Sequence, residues 1–339
     1  MIAALDLVLV SDFRFEIWCF SCLRGVDRGM IVTVTLNPAI DRVLSVPDLR
    51  LGKTSKGTLL SSVPAGKGVN VSRYLGALGV VSIATGLVGR RELRQYEESF
   101  RDTPVTSTLI EVPGHTRVST TLLSDGKTGE THIRETGTPV PAEQKVQLRE
   151  LLFELSSVHG PFVFAGSLPP DFSLVEFGEM ITGLKTRGAG VIVDTSGTAL
   201  EAGVTAGCDL IAPNEDELAE LVGEAIASST AIVEAARLLR ENVDAMAVKR
   251  GRKGGLLITG ETALVASLDV KGIDAKSTVG AGDAFLAGLL AARESGASTE
   301  QQLAAAVAAG CASVSEHTVG QLDLDDYERL LDNVKVKKT

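Results

Sequence analysis

Ser277-Thr278-Val279-Gly280-Ala281-Gly282-Asp283 runs directly into Ala284-Phe285-Leu286-Ala287-Gly288. Small residues let a backbone turn sharply and come close to a ligand, and the apolar run that follows reads as a helix. The amides of Gly280, Ala281, Gly282 and Asp283 would then point outward at a helix N-terminus, where the dipole favours negative charge. Such a cradle suits a phosphoryl group in transfer. Asp283 stands beside it, able to take a proton from a hydroxyl. Asp is also a favoured helix cap, so a purely structural reading stands beside the chemical one.

A second Gly-rich turn, Pro64-Ala65-Gly66-Lys67-Gly68-Val69-Asn70, also opens a helix. It is not a Walker A loop: Ser61 stands where that motif needs Gly, and Gly68 where it needs Ser or Thr. Nor is it a dinucleotide fingerprint, because no G-x-G-x-x-G follows a strand. Gly66 and Gly68 allow close approach to a polar ligand, with Lys67 and Asn70 adding donors. The alternative is an ordinary turn carrying a solvated lysine.

The elements that must position these residues alternate. A clean strand, Ile31–Leu36, is ended by Asn37-Pro38. Helices are predicted at Val69–Leu78, Ala142–Ser157, Leu174–Arg187, Asn214–Val222, Ala231–Arg240, Ala281–Ala292 and Glu300–Ser315. Strands are predicted at Ser82–Val88, Pro161–Ala165, Val191–Asp194, Asp209–Ala212, Ala245–Val248, Gly255–Thr259 and Ala263–Ser267. Strands alternating with helices imply a mostly parallel sheet covered on both faces, an α/β fold. Two pieces break the rhythm: residues 41–65, with short β-like runs, and a hairpin at 116–135 turning over Ser124–Gly129. Together they read as one small sheet projecting from the body, a candidate lid.

Composition narrows the class. The chain has 339 residues and 44% hydrophobic content, enough for a full core, so global disorder is excluded. The net charge of −10 argues against a nucleic-acid partner, yet local cations can still hold a phosphate. The cysteines at 19, 22, 208 and 311 form no disulfide framework, and a lone C-x-x-C is weak evidence for metal. His115, His132, His159 and His317 are scattered. No apolar stretch reaches membrane-spanning length and no signal-peptide pattern opens the chain, so a cytoplasmic location is expected. Residues 1–29, with the only Trp and two of the four Cys, read as an N-terminal extension ahead of a body over 30–335, with Met30 as the expected natural start. An extra element packed on the body is the alternative.

Gly66-Lys67-Gly68-x-Asn70 together with Thr278–Asp283 resembles the ribokinase-like sugar kinases of the PfkB family. Thr35–Asp41, Ala165–Pro169 and Val193–Gly197 are similar to the branch of phosphosugar kinases that includes 1-phosphofructokinase and tagatose-6-phosphate kinase. The resemblance runs in family order over about residues 30–335. It implies a ribokinase-like sheet with a small β-sheet lid over about 41–65 and 113–137, and ATP-dependent phosphorylation of a hexose phosphate with Mg²⁺.

The resemblance also implies roles. Asp283 would be the general base and the amides of Gly280, Ala281 and Gly282 the anion hole. Asp41, Gly66 and Asn70 would bind sugar hydroxyls, and Lys67 and Arg117 the phosphate already on the sugar. Asn214 and Glu217 match an N-x-x-E element that helps place Mg²⁺ through water, and Gly251 and Gly254 a G-x-x-G turn near the nucleotide, with Lys249 beside it. For Arg117 a hairpin surface role is the alternative, and for Glu217 a first-turn acid favoured by the dipole. There are departures: Ala212 where relatives carry Lys, Ser119 for Asn, His132 and Arg134 on the far hairpin strand, and Lys249 for Ser or Thr. They fall on the lid and the nucleotide rim. The expected acceptor is fructose 1-phosphate, with tagatose 6-phosphate and fructose 6-phosphate as alternatives, and a non-catalytic sugar-phosphate sensor as the reading of another class. A thin lid needs cover on one face, which points to a homodimer.

Overall fold

The computed structural model describes residues 30–339 apart from 125–129, 159, 261, 271–272, 274 and 317. The expected N-terminal extension with Cys19 and Cys22, the hairpin turn at 125–129, His159 and His317 lie outside the described residues. β1 (Ile31–Thr35) is followed by β2 (Ala39–Ser45), β3 (Thr58–Ala65), α1 (Lys67–Ala77), β4 (Ser82–Gly89), α2 (Leu93–Ser99) and β5 (Val105–Val112). Next come β6 (Arg117–Leu123), β7 (Glu130–Arg134), α3 (Ala142–Leu155), β8 (Phe162–Ala165), α4 (Leu174–Lys185) and β9 (Val191–Asp194). The chain continues through α5 (Gly197–Thr205), β10 (Leu210–Ile211), α6 (Glu215–Val222), α7 (Ser229–Leu239) and β11 (Ala245–Lys249). It closes with β12 (Gly255–Thr259), β13 (Thr262–Ser267), α8 (Ala281–Glu294), α9 (Thr299–Ser313), α10 (Leu324–Leu331) and β14 (Lys335–Lys338).

The main sheet has ten strands in the order β14-β13-β12-β11-β10-β9-β8-β1-β4-β5. From β11 to β5 every pairing is parallel, whereas β12, β13 and β14 pair antiparallel at one edge. Parallel strands covered on both faces read as unbroken apolar runs, and β1, β8 and β9 are buried at every position. Their alternate side chains feed two cores. Val32, Val34, Phe162, Phe164, Val191 and Val193 pack with Leu148, Phe177 and Leu184 of α3 and α4. Ile31, Val163 and Ile192 pack with Val71, Leu75, Leu286 and Leu290 of α1 and α8. Each such side chain contributes about 1.5–3 kcal/mol on burial.

Chain order reverses at β1. One arm runs through β4 to β5, the other through β8 to β11. Such a switch point opens a crevice beyond the carboxyl ends of the strands, where ligands bind in open α/β sheets. The second sheet, β3-β2-β6-β7, stands apart with four strands. It joins the 41–65 segment to the hairpin through the parallel pairing of β2 with β6.

Five elements were not read from the sequence: α2, β5, α5, α10 and β14. The basic C-terminal segment 335–338 pairs Lys335–Lys338 with Leu264–Ser267. Its exposed lysines are the charges that keep a sheet edge from recruiting further strands.

Candidate active site

The crevice is built from helix starts and strand ends. Gly66 precedes α1 with φ 132°. Gly68, in the first turn, lies so close to β1 that a Cβ there would collide with Thr35 Oγ1 and Val34 O. α1 is thereby pressed onto the end of β1, which turns Lys67 and Asn70 into the crevice. α8 starts in the same region. Gly280 caps it with φ 83°, a left-handed conformation; a Cβ at that position would meet Val319 Cγ1 at 2.8 Å and Tyr74 Oη at 2.9 Å. Only glycine satisfies both demands. The Ala281 N–H donates to Thr278 O at 3.3 Å, closing the turn. Helix geometry gives the following amides, Gly282 and Asp283, no intrahelical acceptor.

Asn70 Nδ2 donates to Asp283 Oδ2 at 2.8 Å, across 213 positions of sequence. Asp283 is 6% exposed. Burial, with repulsion from Asp194 added, pushes its carboxyl up to about 6 against the pull of Lys67, Asn70 and Lys249. A carboxylate with that pKa is charged at neutral pH and still basic enough to accept a proton in a transition state. The remaining Asn70 oxygen, Oδ1, is buried with no hydrogen-bond partner.

Next to this pair lies a group of charges centred on Asp194, to which the sequence assigned no role. Asp194, the last residue of β9, is fully buried, and its Oδ1 receives Lys249 Nζ at 2.8 Å and Lys67 Nζ at 3.1 Å. Burial opposes ionisation of Asp194, but Lys249 and Lys67 outweigh it and hold the carboxyl below the usual range. Lys67 also approaches Glu217 Oε1 at 3.9 Å. Burial alone would discharge Lys67; Asp194, Glu217 and Asp283 together hold it protonated instead. The signal in the sequence was an acid closing the apolar run Val191-Ile192-Val193, at the carboxyl end of a parallel strand.

Asn214 and Glu217 form a capping box on α6: Glu217 N–H donates to Asn214 Oδ1 and Asn214 N–H to Glu217 Oε2, both at 2.8 Å. The structural alternative for Glu217 is thus real, and its Oε1 still faces Lys67. Asn214 bridges in parallel to Lys249, so the cap and that lysine are held together. Gly251 and Gly254 bracket a short turn in which Arg250 N–H donates to Gly254 O. Arg250 and Lys253 pair with Glu215 at 2.8 and 3.1 Å, tying the turn to α6. Among the described residues no group of three or more His, Cys, Asp or Glu could cage a metal ion.

On the small sheet, Asp41, Ser119 and Arg134 share one row across β2, β6 and β7. Burial raises the Asp41 carboxyl's pKa, opposed by Arg117, Arg134 and Arg73. Arg117 lies beside this row and is tied to backbone carbonyls. Its Nε donates to Asn37 O and Pro38 O, its Nη2 to Asn37 O and its Nη1 to Glu135 O, at 3.0–3.2 Å. The guanidinium laces the turn after β1 to the end of β7. The two expected phosphate holders therefore sit in separate charge groups, Lys67 with Asp194 and Glu217, Arg117 with Asp41. Asn37 is a further tie: its Nδ2 reaches Thr136 O, Ser167 Oγ and Leu168 O at 3.0–3.1 Å.

An α/β fold with an anion-binding helix start, a buried carboxylate beside it and a second small sheet defines a phosphotransferase acting on a hydroxyl. The pfkB family carbohydrate kinase profile matches residues 31–325, and the chain belongs to that family. It is 31% identical over 309 residues to a 1-phosphofructokinase of Haemophilus influenzae, covering 90% of this chain and 97% of that one. A tagatose-6-phosphate kinase of Staphylococcus epidermidis is 25% identical over 311 residues, covering 91% and 99%. The crystal structure of Escherichia coli phosphofructokinase-2 in complex with potassium superposes with a TM-score of 0.83 at 25% identity, covering 90% of this chain and 98% of that one. The chain is a kinase of sugars, and its phosphoryl donor is ATP.

Proposed function

We propose that the chain transfers the γ-phosphoryl group of ATP to a hydroxyl of fructose 1-phosphate, giving fructose 1,6-bisphosphate and ADP. The observation that carries the chemistry is the Asn70–Asp283 pair at the start of α8. The hydroxyl oxygen attacks the γ-phosphorus as the bond to the bridging oxygen of ADP breaks. The hydroxyl proton passes to Asp283, which Asn70 holds in place. The unpartnered Asn70 Oδ1 offers an acceptor to a donor on the sugar, since a buried acceptor left bare is costly. The Gly282 and Asp283 amides take up charge on the moving phosphoryl, and closing the small sheet as a lid keeps water from competing. The choice of sugar is supported by the greater identity to the 1-phosphofructokinase than to the tagatose-6-phosphate kinase.

Glu217 and Asn214 are the residues that would hold Mg²⁺, through water. The chemistry of the donor set fits: one carboxylate oxygen is occupied by the cap and the other faces the crevice, which suits an ion carried in with the nucleotide phosphates. Mg²⁺ would supply neutralisation of phosphate charge.

On the lid, Asp41 meets the sugar hydroxyls and Arg134 the phosphate the sugar already bears, while Arg117 holds the lid strands to the body. Leu59, Leu60 and Ile133 are more than half exposed on this sheet, which supports a homodimer formed through it. Among the described residues no helix is long and apolar enough to cross a membrane; a cytoplasmic location is part of the proposal. A coupled assay of ADP release tests the whole reading across fructose 1-phosphate, fructose 6-phosphate and tagatose 6-phosphate. Preference for fructose 1-phosphate is expected. Preference for either other sugar reassigns the substrate, and no ADP release with any of them favours a sugar-phosphate sensor.

A further inference from the structure

Asp194 is one buried negative charge serving two ammonium groups, and both reach the same oxygen. Its second oxygen, Oδ2, is buried with no partner. Neutralising Asp194 requires only one of the two lysines. Lys67 has a further acidic neighbour in Glu217, but among the described residues Lys249 is within 4.0 Å of no acid except Asp194. The Lys249 side chain is 12% exposed. Asp283 draws on Lys249 through space as well, but among the described residues the side-chain acceptor on its ammonium is Asp194 Oδ1 alone, which leaves two of its three donors for another anion.

The surroundings of Lys249 say where that anion sits. Its side chain lies against Gly282, so that a Cβ at Gly282 would be 3.3 Å from Lys249 Cδ and 3.7 Å from Nζ. Gly282 contributes an amide to the anion hole. The Lys249 N–H donates to Pro213 O at 2.9 Å, and its strand bridges to Asn214 of the capping box. The ammonium therefore lies between the start of α8 and the start of α6. The open start of α8 and the Lys249 ammonium converge there, which is the environment a phosphate group occupies.

We propose that Lys249 is a catalytic residue that contacts the phosphoryl group in transfer, and that Asp194 is the positioning residue that holds it ready before ATP arrives. This rests on the kinase reading above. As the bridging bond breaks and the new phosphate ester forms, the Lys249 ammonium follows the negative charge on the non-bridging oxygens. Lys67, on the same Asp194 oxygen, faces the same group from the α1 side, so both lysines serve the phosphoryl in flight and leave the sugar's own phosphate to the lid.

The test separates the terminal phosphate from the rest of the nucleotide. Lys249→Met keeps the length of the side chain and removes the charge. Binding of the non-hydrolysable analogue AMP-PNP and of ADP is measured by calorimetry beside turnover. AMP-PNP affinity is expected to fall roughly tenfold or more, ADP affinity to stay within about twofold, and kcat to fall ~100-fold or more with KM for the phosphosugar unchanged. Lys249→Arg should regain part of the AMP-PNP affinity. A merely structural lysine would weaken AMP-PNP and ADP alike or neither, and that result overturns the proposal. Should Lys249→Met fail to fold, Asp194→Asn with Lys249→Met removes the stranded charge as well, and the same ratio of AMP-PNP to ADP affinity is read. Failure of the kinase reading looks different: the unaltered protein would release no ADP with any phosphosugar and bind neither nucleotide.

Discussion

Replacing Asp283 by Asn tests chemistry and energetics at one position. The amide keeps the shape of the carboxyl and can still accept from Asn70, but it cannot take a proton. Loss of a positioned base costs ~10²–10⁴-fold, so kcat should fall at least ~100-fold while AMP-PNP binding persists. The same change should stabilise the fold. Burial has moved the carboxyl from 3.8 to about 6. Below 3.8 it is protonated in both native and unfolded states, and there is no penalty. As pH rises towards about 6, the unfolded chain ionises freely and the native chain does not, so native stability is lost. Above about 6 the penalty is complete, about 3 kcal/mol for the roughly two-unit shift at 1.36 kcal/mol per unit. About half of it is already present at pH 5 by the same linkage. The stability gained by Asp283→Asn, measured by urea unfolding, should therefore be larger at pH 8 than at pH 5 by about 1 kcal/mol. In the unaltered enzyme kcat/KM should rise with pH through an acid limb near 6, because only the ionised base acts. Near-normal kcat in the variant, or a stability gain that is equal at the two pH values, would refute the assignment of Asp283 as a buried general base.

Arg134→Ala should raise KM for the phosphosugar ten- to a hundredfold, as expected for ~1.5–3 kcal/mol of charge-assisted contact, with KM for ATP unmoved. Arg117→Ala removes four donations to backbone carbonyls, so it should lower the melting temperature as well as activity; a raised KM for the sugar with unchanged melting would return the phosphate to Arg117. Gly280→Ala forces a left-handed alanine against Val319 and Tyr74, at a cost of about 1–3 kcal/mol, and a lowered melting temperature with kcat reduced more than nucleotide affinity is the expected result. Light scattering at micromolar concentration should return the mass of two subunits, and a charged residue in place of Leu60 should shift it towards one; a single-subunit mass for the unaltered chain counts against the lid-to-lid dimer.

Local order in this protein was legible without coordinates. Apolar runs such as Val191–Val193, punctuated by Gly and Pro, are the mark of strands covered on both faces, and the alternation with helices led to a mostly parallel sheet. The helix read from Glu300 starts within one residue of that position, at Thr299, where Ser298 and Gln301 form a capping box. The two Gly-rich turns announced themselves because close backbone approach restricts residue type at the very positions where it occurs. What the chain could not declare was which charges meet. Lys67 and Lys249 lie 127 and 55 positions from Asp194, and only the crossovers of the sheet bring them to one oxygen. The raised carboxyl of Asp283 does not exist until the crevice is assembled, because burial and the charges brought around it set its pKa. Arg117 teaches the same lesson from the other side. Its place in a motif suggested a ligand, and nothing local foretold that its guanidinium would also reach the carbonyls of Asn37, Pro38 and Glu135, neighbours supplied by the pairing of β2 with β6 and of β6 with β7. The last strand was hidden for a different reason: Lys335–Lys338 has too little apolar character to read as a strand, and it pairs because β13 offers it an edge whose backbone groups need partners.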